Sequence, residues 1–218
     1  EYIKSNISSL SRELEQLEQC VEKGSDLHDI KDLTADIQEG IGRITNVVTN
    51  LLEFSRSQPF DEIEHYDIHK GIETTLQIAR ISYKYIAKIV KDFEEVPLIE
   101  ARGNEINQVL LNLITNSVAA IASAYTGTEQ FGTIIIRTSS DDTMVTCDIS
   151  NNGPPIPDSE REKIFEPFYT TKKKGEGTGL GLSISRHIVV DRHNGDLFLL
   201  ESGETTTFRL RLPLRQER

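Results

Sequence analysis

Residues 175–188 read GEGTGLGLSISRHI, and this stretch restricts the possible folds more than any other. Glycines stand at 175, 177, 179 and 181. Each costs about 1 kcal/mol in a helix interior relative to alanine, so an alternating glycine run holds no regular structure by itself. The nine residues that follow, LSISRHIVV, carry apolar positions at helical spacing. The sequence therefore predicts a loose loop running into the N-terminus of a helix. Backbone amides without neighbouring side chains can converge on an anion there, and the helix end adds its partial positive charge. Lys172, Lys173 and Lys174 precede the run and add local positive charge. The chain as a whole carries a net charge of −11, which argues against a nucleic-acid backbone as the anion.

Two familiar phosphate patterns are excluded. The GxxxxGKS or GxxxxGKT loop needs a Gly-Lys pair, and none occurs. The dinucleotide fingerprint GxGxxG fits Gly177 and Gly179, but its third glycine falls on Leu182. The anion must be met by some other arrangement, and three further stretches suggest one. Residues 107–121 read NQVLLNLITNSVAAI and place Asn112 and Asn116 four apart, on one helix face. Asparagine is a poor helix former, and a neutral amide oxygen suits a Mg²⁺ whose other positions hold phosphate and water. Residues 148–157 read DISNNGPPIP, a strand end followed by a turn stiffened by prolines 154, 155 and 157. Residues 164–171 read IFEPFYTT and set Phe165, Phe168 and Tyr169 just ahead of the lysines. Each stretch alone also suits a solvated helix, an ordinary turn or core aromatics; together they describe a pocket.

The remainder falls into two regions. Ile3, Ile7, Leu10, Leu14, Leu17 and Val21 step by 3 and 4, as do Ile30, Leu33, Ile37, Ile41, Ile44, Val48 and Leu51. Such heptad seams predict a helical hairpin over 1–56, with EKGSDLHD as its turn. Two helices bury little core, so a second copy is expected to complete a four-helix bundle. Residues 1–62 hold 13 acidic and 6 basic side chains, so this is the acidic region. Pro59 breaks the helix within SQPFDE, giving a domain at 1–57, a linker at 58–62 and a second domain at 63–218. The second domain reads as α+β, a sheet with helices on one face. Its expected strands are 63–68, 88–94, 98–101, 133–139, 143–150, 196–201 and 206–212. Its expected helices are 69–81, 104–123, 158–163 and 179–193. No apolar run approaches the roughly 18 residues of a membrane span. Cys20 and Cys147 match no metal or redox spacing and read as reduced thiols.

In this order, the four pocket stretches resemble the catalytic domain of sensor histidine kinases, within the ATPases that include gyrase, Hsp90 and MutL. Residues 107–121 resemble the family's N box, and NNGPPIP its first glycine box. IFEPFYTT is similar to the F box, GTGLGL to the second glycine box, and TTTFRLRLP (205–213) to the last motif. The resemblance covers 63–218 and implies a two-layer α/β sandwich of Bergerat type that binds ATP and Mg²⁺. It implies that Asn116 binds the metal, with Asn112 near the phosphates. It puts Asn151 and Gly153 at the adenine, with Ile156 and Thr206 at the same end. It puts Lys172, Gly177, Thr178, Gly179, Leu180, Gly181, Leu182 and Arg186 in or after a lid over the phosphates.

This chain departs from the family at three places. Asn151 stands for an aspartate, Pro155 for a glycine and Thr205 for the glycine of the last motif. An asparagine carries both an acceptor and a donor. Flipped, it can donate to the guanine carbonyl, so weaker selectivity for ATP over GTP is expected. The hairpin resembles the family's dimerisation and phosphotransfer domain beyond its histidine box. The phosphate-accepting histidine is accordingly expected upstream of Glu1, and this portion is expected in the cytoplasm whether or not a longer parent is membrane-attached. His28, His65, His69, His187 and His193 are expected to be structural or exposed. A homodimer through 1–56 and a response-regulator receiver domain are the implied partners. The alternatives are a clamp-type ATPase, disfavoured because Asn112 stands where those enzymes place glutamate, and a non-enzymatic dimeric scaffold.

Overall fold

A computed structural model describes residues 62–125, 131–172, 178–200 and 205–216. The chain divides into two units, Glu1–Ser57 with Thr170–Thr178, and Gln58–Tyr169 with Gly179–Arg218. The expected hairpin and nearly all of the linker lie outside the described residues. The described strands and helices all belong to the second unit.

Asp67 separates the first strand from the first helix. Its backbone is extended, and its carboxylate accepts from the amides of His69 at 3.0 Å and Lys70 at 3.2 Å. Such a cap satisfies donors that the first helical turn leaves open. Strand β1 (Glu64–Tyr66) is therefore shorter than the expected 63–68, and helix α1 (Ile68–Tyr83) starts a residue early. Helix α1 buries Ile68, Ile72, Leu76 and Ala79, one stripe at helical spacing.

Strand β2 (Ala87–Phe93) and the short β3 (Ile99–Ala101) precede the long helix α2 (Gly103–Tyr125). Strands β4 (Gly132–Ser140) and β5 (Met144–Asn151) follow. After the pocket loops come helix α3 (Gly181–Arg186) and strands β6 (Asp196–Leu199) and β7 (Thr206–Pro213). The main sheet has the order β2-β4-β5-β7-β6. Among these described strands, β2 and β4 run parallel and the other neighbouring pairs are antiparallel. Strands β1 and β3 form a separate antiparallel ladder. It is tied to the end of β7, where the Glu100 amide donates to the Leu214 carbonyl at 3.1 Å.

Burial alternates along β4 and β5, so the sheet covers one face. Ile134, Ile136, Val145 and Ile149 meet the buried stripe of α2, which includes Ile106, Leu110, Leu113 and Ile114. Each such side chain contributes about 1.5–3 kcal/mol relative to exposure. The α+β architecture with two layers is thus as expected. Cys147 lies in this core, and burial, then Asp148, pushes its thiol up to about 12, so it is unreactive. Helix α2 is the one described helix long and apolar enough to cross a membrane by composition, with a mean hydropathy of 1.2. Here it forms the centre of the core.

Two expected helices differ. Residues 158–163 form no α-helix; single turns stand at Asp158–Glu160 and Lys163–Phe165, separated by exposed Glu162. Between Pro157 and Pro167 only Ile164 and Phe165 are buried, too few to support a helix. The helix expected at 179–193 begins at Gly181 and continues from His187 to Asp191 as a wider π-helical turn.

Candidate functional site

Asn112 and Asn116 lie one turn apart on α2, on a half-buried face beside the apolar stripe. Asn116 Nδ2 donates to Asn112 Oδ1 at 3.4 Å. Asn112 Nδ2 donates to Ser185 Oγ on α3 at 2.9 Å. The helix that follows the glycine run is thereby joined to the asparagine face. Gly181 makes this close approach possible, because a Cβ there would run into Asn112 Oδ1. This hydrogen bond uses the Asn116 NH₂ and leaves its carbonyl oxygen outside it. That donor suits a Mg²⁺ held otherwise by phosphate and water. Among the described residues no group of three His, Cys, Asp or Glu side chains could hold a metal ion.

The turn after β5 forms a second wall. Asn151 is only 2% exposed. Its Oδ1 accepts from the Gly153 amide at 3.0 Å, and its Nδ2 donates to Ser117 Oγ at 3.3 Å and to the Thr206 carbonyl at 3.4 Å. Gly153 lies so close to α2 that a Cβ would stand 2.8 Å from the Ala120 backbone. Asn152 points elsewhere. Its Oδ1 accepts from the Thr133 amide at 2.7 Å, and its Nδ2 donates to Tyr125 Oη at 3.1 Å. It anchors the turn to β4 and to the end of α2. Thr206 Oγ1 donates to the Pro154 carbonyl at 3.3 Å, and Ile156 rests on the core. These contacts correct one expectation. Rotating the Asn151 amide by 180° would set NH₂ against the Gly153 amide and oxygen against two acceptors. Each mismatch costs about 1–3 kcal/mol, so Asn151 does not flip freely to suit a different base.

A third part lies at the base of the loop. The Phe168 amide donates to the Gly179 carbonyl at 2.8 Å. Gly179 has φ +66°, and a Cβ there would meet the Phe168 backbone. Phe168 has φ 68° and is itself exposed. Beyond this point α3 starts without a side-chain cap, and its first open amides face out of the helix end. Leu180 and Leu182 rest on the core.

The remaining expected site residues are distributed differently. Arg186 lies over the Phe165 ring, 5.2 Å from its centroid, with Glu162 3.8 Å away. Lys172 and Thr178 belong to the other unit, and Gly177 lies outside the described residues. Sequence reasoning missed Ser117, Ser185 and Tyr125. Ser117 follows Leu113 by four residues, so it lies in the buried stripe of α2. A hydroxyl in an apolar stripe needs partners, and that was the available signal.

Of the five histidines, four are described, and they are placed as expected. His69 stacks on Phe93 at 4.6 Å and contacts Thr138 Oγ1. His187 pairs with Asp191, and His65 is exposed. His193 is fully buried; its Nδ1 donates to the Ile188 carbonyl at 2.8 Å and its Nε2 accepts from the Arg102 amide at 3.0 Å. That pattern requires the neutral ring. Burial holds its pKa below the usual histidine range, and Arg102 and Arg192 push the same way.

The family described as "Histidine kinase-, DNA gyrase B-, and HSP90-like ATPase" matches residues 101–216. Sensor histidine kinase ZraS of Escherichia coli K12 is 27% identical over 97% of this chain and 43% of its own length. The chain spans less than half the length of the first curated relatives it matches. Among solved structures, the catalytic domain of histidine kinase ThkA matches 71% of this chain and 99% of that domain, at 30% identity and a TM-score of 0.61. ThkA in complex with response regulator protein TrrA matches 97% of this chain and 58% of that one, at 26% identity and a TM-score of 0.74.

Proposed function

The chain belongs to the histidine kinase-, DNA gyrase B- and HSP90-like ATPases, and from that premise we propose that it binds ATP with Mg²⁺ as the kinase portion of a two-component sensor. The observation that carries this reading is the convergence of three elements in the second unit. The Asn112–Asn116 face meets α3 through Ser185, and the Asn151–Gly153 turn lies against the same helix α2.

In this reading Asn151, Gly153, Ile156 and Thr206 hold the adenine. Asn116 offers its carbonyl oxygen to Mg²⁺, and Asn112 positions it. When bound, the ion neutralises charge on the phosphates. The amides of Gly179, Leu180, Gly181 and Leu182 face phosphate. Arg186 reaches phosphate only by leaving Phe165. Catalysis of this kind is mostly positioning and charge stabilisation. The γ-phosphoryl group passes to a histidine, leaving ADP, and then to an aspartate of a receiver domain in the cytoplasm. The neighbouring structure of ThkA is solved in complex with response regulator protein TrrA, which supports a receiver-domain partner. Residues 1–56 supply a homodimer interface through the seams that contain Leu14 and Ile44.

None of the described histidines serves as acceptor in this reading, since each has another role or place. Calorimetric titration with ATP and Mg²⁺, followed by incubation with γ-labelled ATP, tests it. The expected result is binding without labelling of this chain. Absence of binding overturns the nucleotide reading, and stoichiometric histidine labelling overturns the acceptor assignment.

A further inference from the structure

We infer that Ser117 is a positioning residue that locks the Asn151 amide, so that this position offers the base an acceptor and keeps selectivity for a 6-aminopurine. The inference rests on the nucleotide reading above and adds what decides between bases at that site.

Ser117 has a single hydroxyl proton. It is donated to the Leu113 carbonyl, four residues back on α2, at 2.9 Å. Toward Asn151 the hydroxyl therefore shows a lone pair, and the Thr206 carbonyl shows another. Both are satisfied only by NH₂. On the other side the Gly153 amide is satisfied only by the carbonyl oxygen. Donor and acceptor ends of Asn151 are thus assigned by three groups from α2, β7 and the turn itself. Ser117 is 1% exposed and Asn151 2%, so water does not compete for these bonds.

The consequence runs against the chemistry of a free asparagine, which suits either base. With both amide protons held by protein, Asn151 keeps only its second oxygen lone pair for a ligand. An exocyclic amino group can donate to it, whereas a carbonyl at the same place meets oxygen. Locked in this way, a neutral amide imposes the preference that a carboxylate would impose, with no charge to bury. Thr206 contributes through its backbone, which substitution leaves in place. Ser117 is therefore the part of the lock that a mutation can remove.

The test compares ATP and GTP affinities, by calorimetry, for the unmutated chain, Ser117→Ala and Ser117→Thr. The unmutated chain is expected to prefer ATP at least about tenfold. Ser117→Ala is expected to narrow the ratio about 3–10-fold, mainly by gaining GTP, the equivalent of one hydrogen bond. Ser117→Thr keeps the hydroxyl and is expected to restore the ratio. A residue that serves only stability would weaken both nucleotides alike and leave the ratio unmoved; that result overturns the inference while ATP binding still stands. If neither nucleotide binds the unmutated chain, the nucleotide reading and this inference fall together. If Ser117→Ala does not fold, NMR on the unmutated chain decides. A lock gives two resolved, slowly exchanging Asn151 side-chain protons, and rapid exchange of that pair overturns it.

Discussion

The Phe168 amide and the Gly179 carbonyl meet at 2.8 Å, with both residues in left-handed backbone, at φ 68° and 66°. This hydrogen bond joins the residues on either side of the loop, so the loop is closed at its base. Gly179 is required twice over. An L side chain disfavours its φ, and a Cβ would meet the Phe168 backbone. Gly179→Ala is expected to cost about 1–3 kcal/mol of stability. It is also expected to reduce ATP affinity at least about tenfold, because the α3 amides are displaced. Urea unfolding and calorimetry on one preparation measure both. Affinity equal to the unmutated chain would remove the loop base from the binding site.

Asn116 and Lys172 should differ in their metal dependence. Asn116 is fixed on α2, with its NH₂ held by Asn112. Asn116→Ala is expected to abolish most of the gain in nucleotide affinity that Mg²⁺ confers, whereas Lys172→Ala lowers affinity modestly with and without the ion. Titrations in Mg²⁺ and in EDTA separate the two. Equal losses in both media for Asn116→Ala would refute its metal role.

Asn151→Asp tests the same position from the side of the carboxylate that the family carries there. In the structure its second oxygen would face Ser117 Oγ and the Thr206 carbonyl. The expected outcome is a loss of about 1–3 kcal/mol at pH 7.5 with little change in the ATP/GTP ratio. Burial among acceptors raises the folded-state pKa of this carboxyl above the unfolded value of about 3.9. The deficit is then complete above the folded pKa and shrinks as pH falls through it toward the unfolded one. Urea unfolding at pH 5 and 7.5 checks the sign; a deficit that grows toward acid would contradict it.

His193 makes the unmutated fold sensitive to acid. Its folded pKa is depressed, chiefly by burial, so the folded state binds fewer protons than the unfolded state. Stability from the neutral ring is present above the unfolded pKa of about 6.5 and is lost as pH falls through the folded value. The loss is at most about 1.4 kcal/mol per pH unit from this group. His193→Gln is expected to be less stable at pH 7.5 but to lose less between pH 7 and 5.5. Parallel pH profiles for the two proteins would mean that another group carries the acid sensitivity.

What the sequence determined by itself is local. The α2 helix was legible as 104–123 and spans Gly103–Tyr125, and all seven expected strands match β1 to β7 within two residues at each end. Periodicity reports such elements because a buried stripe repeats with the backbone's own geometry. The glycine run also announced the loop before α3, since no other residue tolerates Gly179's backbone and Gly181's closeness to Asn112 together. The tertiary structure alone decided which way each polar group faces. Asn151 takes its orientation from Ser117, 34 residues back, and Thr206, 55 residues ahead. Arg186 lies on Phe165, and the buried His193 ring accepts at Nε2 from the amide of Arg102, 91 residues away. A hydrogen-bond donor has no periodicity; its direction is set by whichever partner the fold brings within about 3 Å, and that partner is distant in the chain.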